Sequence, residues 1–243
     1  MKAVVMAGGE GTRLRPLTCD RPKPMVPIAN RPVMEHIINL LRKHGFHEIY
    51  VTLYYLPDAI AEYFEDGSNF GVSISYSIEE TPLGTAGSVK QLVDKLDDTF
   101  LVISGDALTD INLTEAFQFH CQNKSKATLV LTEVPEPLEY GVVVTDENNR
   151  ICRFIEKPRW GEVISNMVNT GIYILEPEIF EPYKVGQNFD FSKDLFPSLL
   201  EKKQPIYGYH ATGYWCDVGN LHAYLQANQD ALEKKVDLEI LGD

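Results

Sequence analysis

Through the first 130 residues, short apolar runs alternate with stretches whose apolar residues recur every three to four positions. Ala3–Met6, Glu48–Leu53, Val72–Tyr76, Phe100–Ile103 and Ala127–Thr132 have the length and β-rich content of strands. Pro32–His44 carries Val33, Ile37, Ile38, Leu40 and Leu41 at helical spacing, opens with proline near its first turn and stops at Gly45. Ala59–Phe64, Ala86–Leu96 and Leu113–Gln122 also read as helices. Strands alternating with helices predict βαβ units and a mainly parallel sheet, with a ligand beyond the carboxyl ends of its strands.

The pattern changes after Val134. Gly141–Thr145, a polar turn at Asn148-Asn149 and Ile151–Glu156 predict a β-hairpin, and so an antiparallel extension of the sheet. Thr170–Leu175 returns to a buried strand, and Phe191–Lys202 and Leu221–Leu232 read as helices. No Gly/Ser-rich or Pro-rich linker divides the halves, so the chain reads as one domain with two lobes over residues 1–235, followed by a tail over 236–243. Val236, Leu238, Ile240 and Leu241 make that tail a terminal strand or the beginning of a further element.

Composition narrows the class without naming it. The 243 residues are 44% hydrophobic and 23% charged, enough to bury a core and unlike a disordered chain. The cysteines, Cys19, Cys121, Cys152 and Cys216, include no C-x-x-C pair, which argues against a zinc site or disulfide scaffold and fits a reducing cytoplasm. The N-terminal apolar run is stopped by Gly8 too early for a signal-peptide core, and no run has the length of a membrane span. A net charge of −13 disfavours nucleic acid and anionic membranes as partners.

That charge is unevenly spread. Residues 1–43 hold eight basic residues (Lys2, Arg13, Arg15, Arg21, Lys23, Arg31, Arg42, Lys43) against three acidic ones (Glu10, Asp20, Glu35), a local charge of +5 that leaves −18 for the rest. A basic segment on an acidic body suggests a focused anion site. It contains Ala7-Gly8-Gly9-Glu10-Gly11-Thr12-Arg13 directly after the first strand, where glycines let backbone N–H groups approach an anion. No G-K-[ST] follows, as a Walker loop requires, and Leu14 stands where G-x-G-x-x-G needs its third glycine. Pro16, Pro22, Pro24 and Pro27 predict irregular chain up to the Pro32 helix, with nothing helical at Gly11. Glycine spacing and the missing helix exclude a nicotinamide-binding protein. On spacing alone a tight turn with solvated basic residues remains the competing reading.

The run G-G-E-G-T-R-L-R-P-L-T, continued by R-P-K-P-M-V-P-I and R-P-V-M-E-H, resembles the signature of the nucleotidyltransferases that make nucleotide sugars from sugar 1-phosphates. Pro82-Leu83-Gly84-Thr85-Ala86-Gly87, Ser104-Gly105-Asp106, Tyr140-Gly141-Val142-Val143, Phe154-Ile155-Glu156-Lys157-Pro158, Asn169-Thr170-Gly171 and Trp215-Cys216-Asp217-Val218-Gly219 follow in that family's order, so the resemblance covers nearly the whole chain. It implies the nucleotide-diphospho-sugar transferase fold, a Rossmann-like, mainly parallel mixed sheet flanked by helices with an antiparallel sugar-binding extension. It implies an enzyme that joins an NTP and a hexose 1-phosphate into NDP-hexose and pyrophosphate with Mg²⁺.

The resemblance also assigns residues. Arg13 and Lys23 meet the nucleotide phosphates, with Ala7, Gly8, Gly9, Gly11 and Thr12 as the backbone cradle and Asp106 and Asp217 as metal ligands. Glu79, Glu80, Pro82, Gly84 and Thr85 face the base, and Gly141, Glu156, Lys157, Asn169 and Thr170 serve the sugar phosphate. The six histidines show no ligand spacing and receive no role. An ionised Glu only accepts hydrogen bonds, and guanine offers N–H donors where uracil has one donor between two acceptors. A carboxylate there favours guanine, and the run E-E-x-P-L-G-T-A-G also resembles mannose-1-phosphate guanylyltransferases, so the resemblance implies GTP with mannose 1-phosphate, with UTP and glucose 1-phosphate as the alternative. A regulatory, non-catalytic subunit on the same fold would lose the metal carboxylates or the loop lysine, and all are present. By resemblance the tail marks where longer family members begin a left-handed β-helix; a homo-oligomer is left open.

Overall fold

The computed structural model describes residues 1–240. Along the chain come β1 (Lys2–Met6), the two-residue strands β2 (Pro27–Ile28) and β3 (Arg31–Pro32), α1 (Val33–Lys43), β4 (Glu48–Leu53), α2 (Pro57–Phe64), β5 (Ser73–Ile78) and α3 (Gly84–Lys90). Then follow β6 (Phe100–Ser104), β7 (Ala107–Thr109), α4 (Leu113–Asn123), β8 (Ala127–Glu133), β9 (Gly141–Thr145), β10 (Ile151–Glu156) and β11 (Met167–Leu175). The last elements are α5 (Phe196–Glu201), β12 (Ile206–His210), β13 (Trp215–Asp217) and α6 (Leu221–Leu232). Two units emerge: Met1–Thr81 with Ser104–Asn112 and the chain from Gly213 on, and Pro82–Ile103 with Leu113–Thr212.

In the first unit β1, β4 and β5 pair in parallel, from Lys2 opposite Glu48 and from Glu48 opposite Ser73. Ala3, Val4, Val5, Ile49 and Val51 are fully buried, the near-continuous apolar run expected of parallel strands covered on both faces. Helix α1 buries Val33, Met34, Ile37, Ile38 and Leu41 and ends where Gly45 takes a positive φ. Short β7 and β13 form a separate antiparallel ribbon, and β2 and β3 another.

In the second unit β11 pairs antiparallel with β6, β8 and β9; β10 closes the β9 hairpin and β12 lies parallel to β8. The hairpin turn is built by the Asp146 carboxylate, which accepts from the N–H groups of Asn148 and Arg150, while Asn149 takes the positive φ. Tyr173, Phe191 and Phe196 pack ring against ring at 4.9 to 5.5 Å in its core. The elements are those expected: a mixed sheet flanked by helices, with antiparallel strands added after residue 140.

Some expectations needed correction. The helix foreseen at Ala86–Leu96 spans Gly84–Lys90, with a 3₁₀ turn at Val93–Lys95. Its start is fixed by tertiary contact, because the N–H groups of Ala86 and Gly87 both donate to the Phe189 carbonyl. The helix foreseen at Phe191–Lys202 begins as a π turn over Phe191–Leu195 and becomes α-helical at Phe196, beside Pro197, which has no N–H to donate. Strands β7, β12 and β13 were not foreseen. Two are three residues long, too short for periodicity, and β12 carries Gly208 where a Cβ would stand 2.5 Å from Leu131. Of the tail, Val236 is buried and the described residues to Ile240 form no strand; 241–243, including Leu241, lie outside the described residues. Among the described residues no helix is long and apolar enough to cross a membrane.

Candidate active site

The glycine loop leaves β1 at Ala7, whose N–H still donates to Thr52. Gly8 is half-buried against Tyr54, and Gly9 has open space where a side chain would be. Gly11 takes φ +64°, and its carbonyl accepts from Leu14 N–H and, at 2.7 Å, from the fully buried Thr18 hydroxyl. Contrary to the expectation of wholly irregular chain, these bonds close a 3₁₀ turn over Thr12–Leu14. A second 3₁₀ turn, Lys23–Met25, starts after Pro22, because a proline-rich segment can close single i→i+3 turns without sustaining an α-helix. A Cβ on Gly11 would stand 2.9 Å from Lys23 Cβ, so the glycine lets the two turns meet.

Lys23 is the centre of the site. It is 9% exposed, and its ammonium donates to Asp106 Oδ2 at 2.5 Å and to Asp217 Oδ1 at 3.2 Å. Asp106 emerges from β6 through Gly105, whose N–H donates to Met6 O at 2.8 Å and where a Cβ would stand 2.9 Å from that oxygen. Its other oxygen accepts from the Ser104 hydroxyl. Asp217 is delivered from 111 residues away by the β7–β13 ribbon, which sets it opposite Ala107, and Val218 N–H donates to Asp106 O. A Cβ on Gly219 would stand 2.8 Å from Asp217 Oδ2 and 3.3 Å from an Arg13 guanidinium nitrogen, so Arg13 stands near the same carboxylate and its charge acts on it.

The electrostatics follow from this crowding. Burial opposes charge on Lys23, but Asp106 and Asp217 outweigh it and hold its pKa above the ordinary value. Burial likewise opposes charge on Asp106, yet Lys23 and Ser104 hold its carboxyl below the usual range. Asp217 goes the other way: burial and the neighbouring Asp106 charge push it up against the pull of Lys23 and Arg13. One buried ammonium does not fully satisfy two carboxylates, and their oxygens are the donor type a hard divalent cation takes. Among the described residues no cluster of three or more metal-binding side chains occurs. The Asp106 and Asp217 carboxylates are two hard oxygen donors, the donor type Mg²⁺ prefers, and an ion held by them would need its remaining ligands from outside the protein.

The structure brings Arg13, Lys23, Asp106, Asp217 and Gly11 together, and Gly8 stands in the same unit beside buried Glu79. Thr12 and Glu80 are exposed. In the second unit Pro82 O accepts from Asn188, Gly84 abuts Phe189 O, and the Thr85 hydroxyl accepts from Phe191 N–H. Glu156 pairs with Gly141, where a Cβ would stand 2.9 Å from the Glu156 carboxylate, and exposed Lys157 donates its N–H to Tyr140 O. Asn169 donates to the Tyr173 hydroxyl at 2.9 Å. Thr170 is buried and its hydroxyl donates to Val130 O, so this side chain serves the β8–β11 pairing. Thr18 and the hydroxyl of Ser104 escaped sequence reasoning. Their signal was present in the polar residues flanking the glycine loop and Asp106, but only the fold shows where the hydroxyls point.

A glycine loop after a parallel strand, with a buried lysine between two carboxylates, marks an α/β protein carrying the kinds of groups that suit phosphate and a hard cation. Residues 2–234 match the family model described as nucleotidyl transferase, and the chain belongs to that family. A UTP–glucose-1-phosphate uridylyltransferase of Synechocystis is 43% identical over 250 residues, covering 97% of this chain and 64% of that protein. A mannose-1-phosphate guanyltransferase of Debaryomyces hansenii is 40% identical over 244 residues, covering 97% and 66%. Among solved structures, HddC from Yersinia pseudotuberculosis complexed with GMP-PN has a TM-score of 0.81 at 27% identity, covering 95% of this chain and 99% of that one. The chain spans about two thirds of the length of the curated relatives it matches.

Proposed function

We propose that residues 1–235 are a catalytic domain that joins an NTP to a hexose 1-phosphate, giving NDP-hexose and pyrophosphate. The observation that carries this reading is the Lys23 ammonium held between Asp106 and Asp217 beside the Gly11 turn and Arg13. The nucleophile is a phosphate monoester with a second pKa of about 6, already anionic near neutral pH, so no general base is needed. An oxygen of the sugar phosphate bonds to the α-phosphorus of the NTP. The bond from that phosphorus to the oxygen bridging to the β-phosphate breaks, and its electron pair leaves with pyrophosphate.

The difficulty is gathering anions and aligning them in line. Lys23 and Arg13 bind nucleotide phosphate oxygens, and the N–H groups of the Gly8–Thr12 loop cradle the others. When bound at Asp106 and Asp217, Mg²⁺ supplies charge neutralisation on the phosphates. Lys157 meets the sugar phosphate, Glu156 and Asn169 hydrogen-bond sugar hydroxyls, and Gly141 and the Thr170 backbone shape that subsite.

We read the base as guanine, because Glu79 is a buried carboxylate next to Gly8 and takes only donors, and the sugar as mannose by similarity to the mannose-1-phosphate guanyltransferase relative. The mannose-1-phosphate guanyltransferase relative and the GMP-PN-bound HddC structure support it. UTP with glucose 1-phosphate is the second reading, favoured by the 43% identity to the Synechocystis uridylyltransferase. A pyrophosphate-release panel crossing GTP, UTP, dTTP, ATP and CTP with mannose and glucose 1-phosphates, on the full-length protein with Mg²⁺, tests both. Highest kcat/KM with GTP and mannose 1-phosphate supports the first, and turnover with no pair overturns the catalytic reading.

A further inference from the structure

We propose that Asp110 is the positioning residue that holds Asp217 in register against Asp106, and that it ties this register to the chain following α6. The proposal rests on the reading of these two carboxylates as the metal ligands. Only three residue pairs join β13 to β7, ending at Asp217 opposite Ala107, and a ribbon that short is not stable alone. Its register matters because a slip of one residue turns a strand side chain to the opposite face, which would carry Asp217 away from Lys23 and Asp106.

What pins the ribbon lies at its other end. Asp110 Oδ1 accepts from Tyr214 N–H at 2.6 Å, Tyr214 O accepts from the Thr109 hydroxyl at 2.7 Å, and the Tyr214 hydroxyl donates to Asp230 Oδ2 at 2.9 Å. Tyr214 is thus fixed by backbone and side chain immediately before β13 begins. The preceding residue is Gly213 at φ +116°, where a Cβ would stand 2.7 Å from Asp110 Oδ1, so the site is shaped around that carboxylate. The second oxygen, Oδ2, accepts from Asp237 N–H at 2.9 Å. Asp237 is itself held by Lys43 at 2.8 Å, and Lys235 by Asp230 at 3.0 Å, with Val236 buried between. One carboxylate therefore clamps the strand that delivers Asp217 and the segment after α6. A displacement of residues 235–237 is transmitted to Tyr214 through it.

The test measures Mn²⁺ binding by electron paramagnetic resonance and amide hydrogen exchange over residues 214–218, with far-ultraviolet circular dichroism to check folding. Outer-shell partners of metal ligands typically change affinity by about 10- to 100-fold, so Asp110→Ala should weaken Mn²⁺ binding at least about tenfold and speed exchange over 214–218. Asp110→Asn should fall between, because its one amide oxygen accepts while its NH₂ faces a second N–H. A folded Asp110→Ala protein with wild-type Mn²⁺ affinity overturns the proposal, provided that Asp217→Asn weakens Mn²⁺. If Asp217→Asn also binds Mn²⁺ normally, the ligand assignment fails, and unchanged exchange in Asp110→Ala would then separately overturn the register role. Should Asp110→Ala not fold, Thr109→Val, which removes the hydroxyl bond to Tyr214 O, is read by the same two measurements.

Discussion

Replacing Lys23 by methionine keeps much of the stem that packs against Gly11 but removes the charge shared by Asp106 and Asp217. Breaking a buried pair by removing one partner costs about 3–5 kcal/mol. Here the carboxylate side chains are 25% and 29% exposed and Arg13 remains beside Asp217, so water and a second cation screen part of that; a loss of about 1–3 kcal/mol is expected at pH 7. The loss should depend on pH in a definite direction. Asp217 already has a raised pKa, from burial and the Asp106 charge, and removing the ammonium raises it further. A group whose folded pKa lies above its unfolded value contributes stability below the unfolded pKa, about 3.9, and that contribution is lost as pH rises through the folded pKa. The variant should therefore lose ground to wild type as pH climbs from about 4 toward 7. A divalent cation can take the place of the ammonium, stabilising the variant by RT ln(1 + [M]/Kd), about 2.7 kcal/mol at 100-fold excess over Kd. Urea unfolding at several pH values, with and without Mg²⁺, measures this, and pyrophosphate release should be largely abolished. A variant whose stability is indifferent to both pH and Mg²⁺ would refute the idea that Lys23 neutralises a cation-binding carboxylate pair.

Gly11→Ala places a Cβ at φ +64° and 2.9 Å from Lys23, so a stability loss of about 1–2 kcal/mol and a lower kcat/KM are expected. Gly9→Ala, with nothing within 4 Å, should leave thermal unfolding unchanged; equal losses would mean that the Gly11 contact is irrelevant. Glu79→Gln should lower use of GTP relative to UTP by about tenfold or more, the worth of a hydrogen bond to a charged group, and an unaltered ratio would remove Glu79 from base recognition. His36 is buried with Nε2 donating to Ile28 O, and burial lowers its pKa; His120, between Thr128 and Glu176, is lowered for the same reason. A depressed folded pKa contributes stability above the unfolded value, about 6.5, so the unfolding free energy should fall as pH drops below about 6.5, with a shallower slope in His36→Asn. A flat profile between pH 7 and 5.5 would contradict it.

The elements that could be read from the chain are those whose own residues decide them. Helix α1 has a proline entry, an apolar stripe and a Gly45 exit, and its bounds were legible to within a residue. The β9–β10 hairpin likewise carries its Asp146–Asn149 turn chemistry in sequence. What was illegible is decided by partners far away. Helix α3 begins where Phe189 O offers a joint acceptor, and β13 exists because Thr109 and Asp110 capture Tyr214. The same division runs through the candidate site. The Gly-x-Gly turn and Lys23 are local, whereas the approach of Asp217 to Asp106 needs a three-residue ribbon that no periodicity reveals.

The charge excess of the first 43 residues coincides with the Lys23 site, but net charge is an incomplete reason for a phosphate site to lie there. Of that segment's eight basic residues, Lys23 and Arg13 stand at the carboxylates. Arg21 pairs with Asp20, Arg31 with Glu35 and Lys43 with Asp237, while Arg15 is exposed. A segment of net +5 would attract a polyphosphate, but attraction at a Debye length of about 8 Å cannot discriminate one phosphorus from the next. Discrimination needs charge fixed in place, and burial does that here. Lys23 cannot swing out without withdrawing the ammonium that two carboxylates share, and Gly11, Pro22 and the Thr18 hydroxyl leave its stem little freedom. The acidic pair is therefore as much a part of the proposed phosphate site as the lysine. Asp106→Asn should release Lys23 as well as weaken metal binding, so its effect on NTP affinity should exceed that of removing an exposed cation such as Arg15. Equal effects on NTP affinity, measured by calorimetry without metal, would show that Lys23 is held by its loop alone.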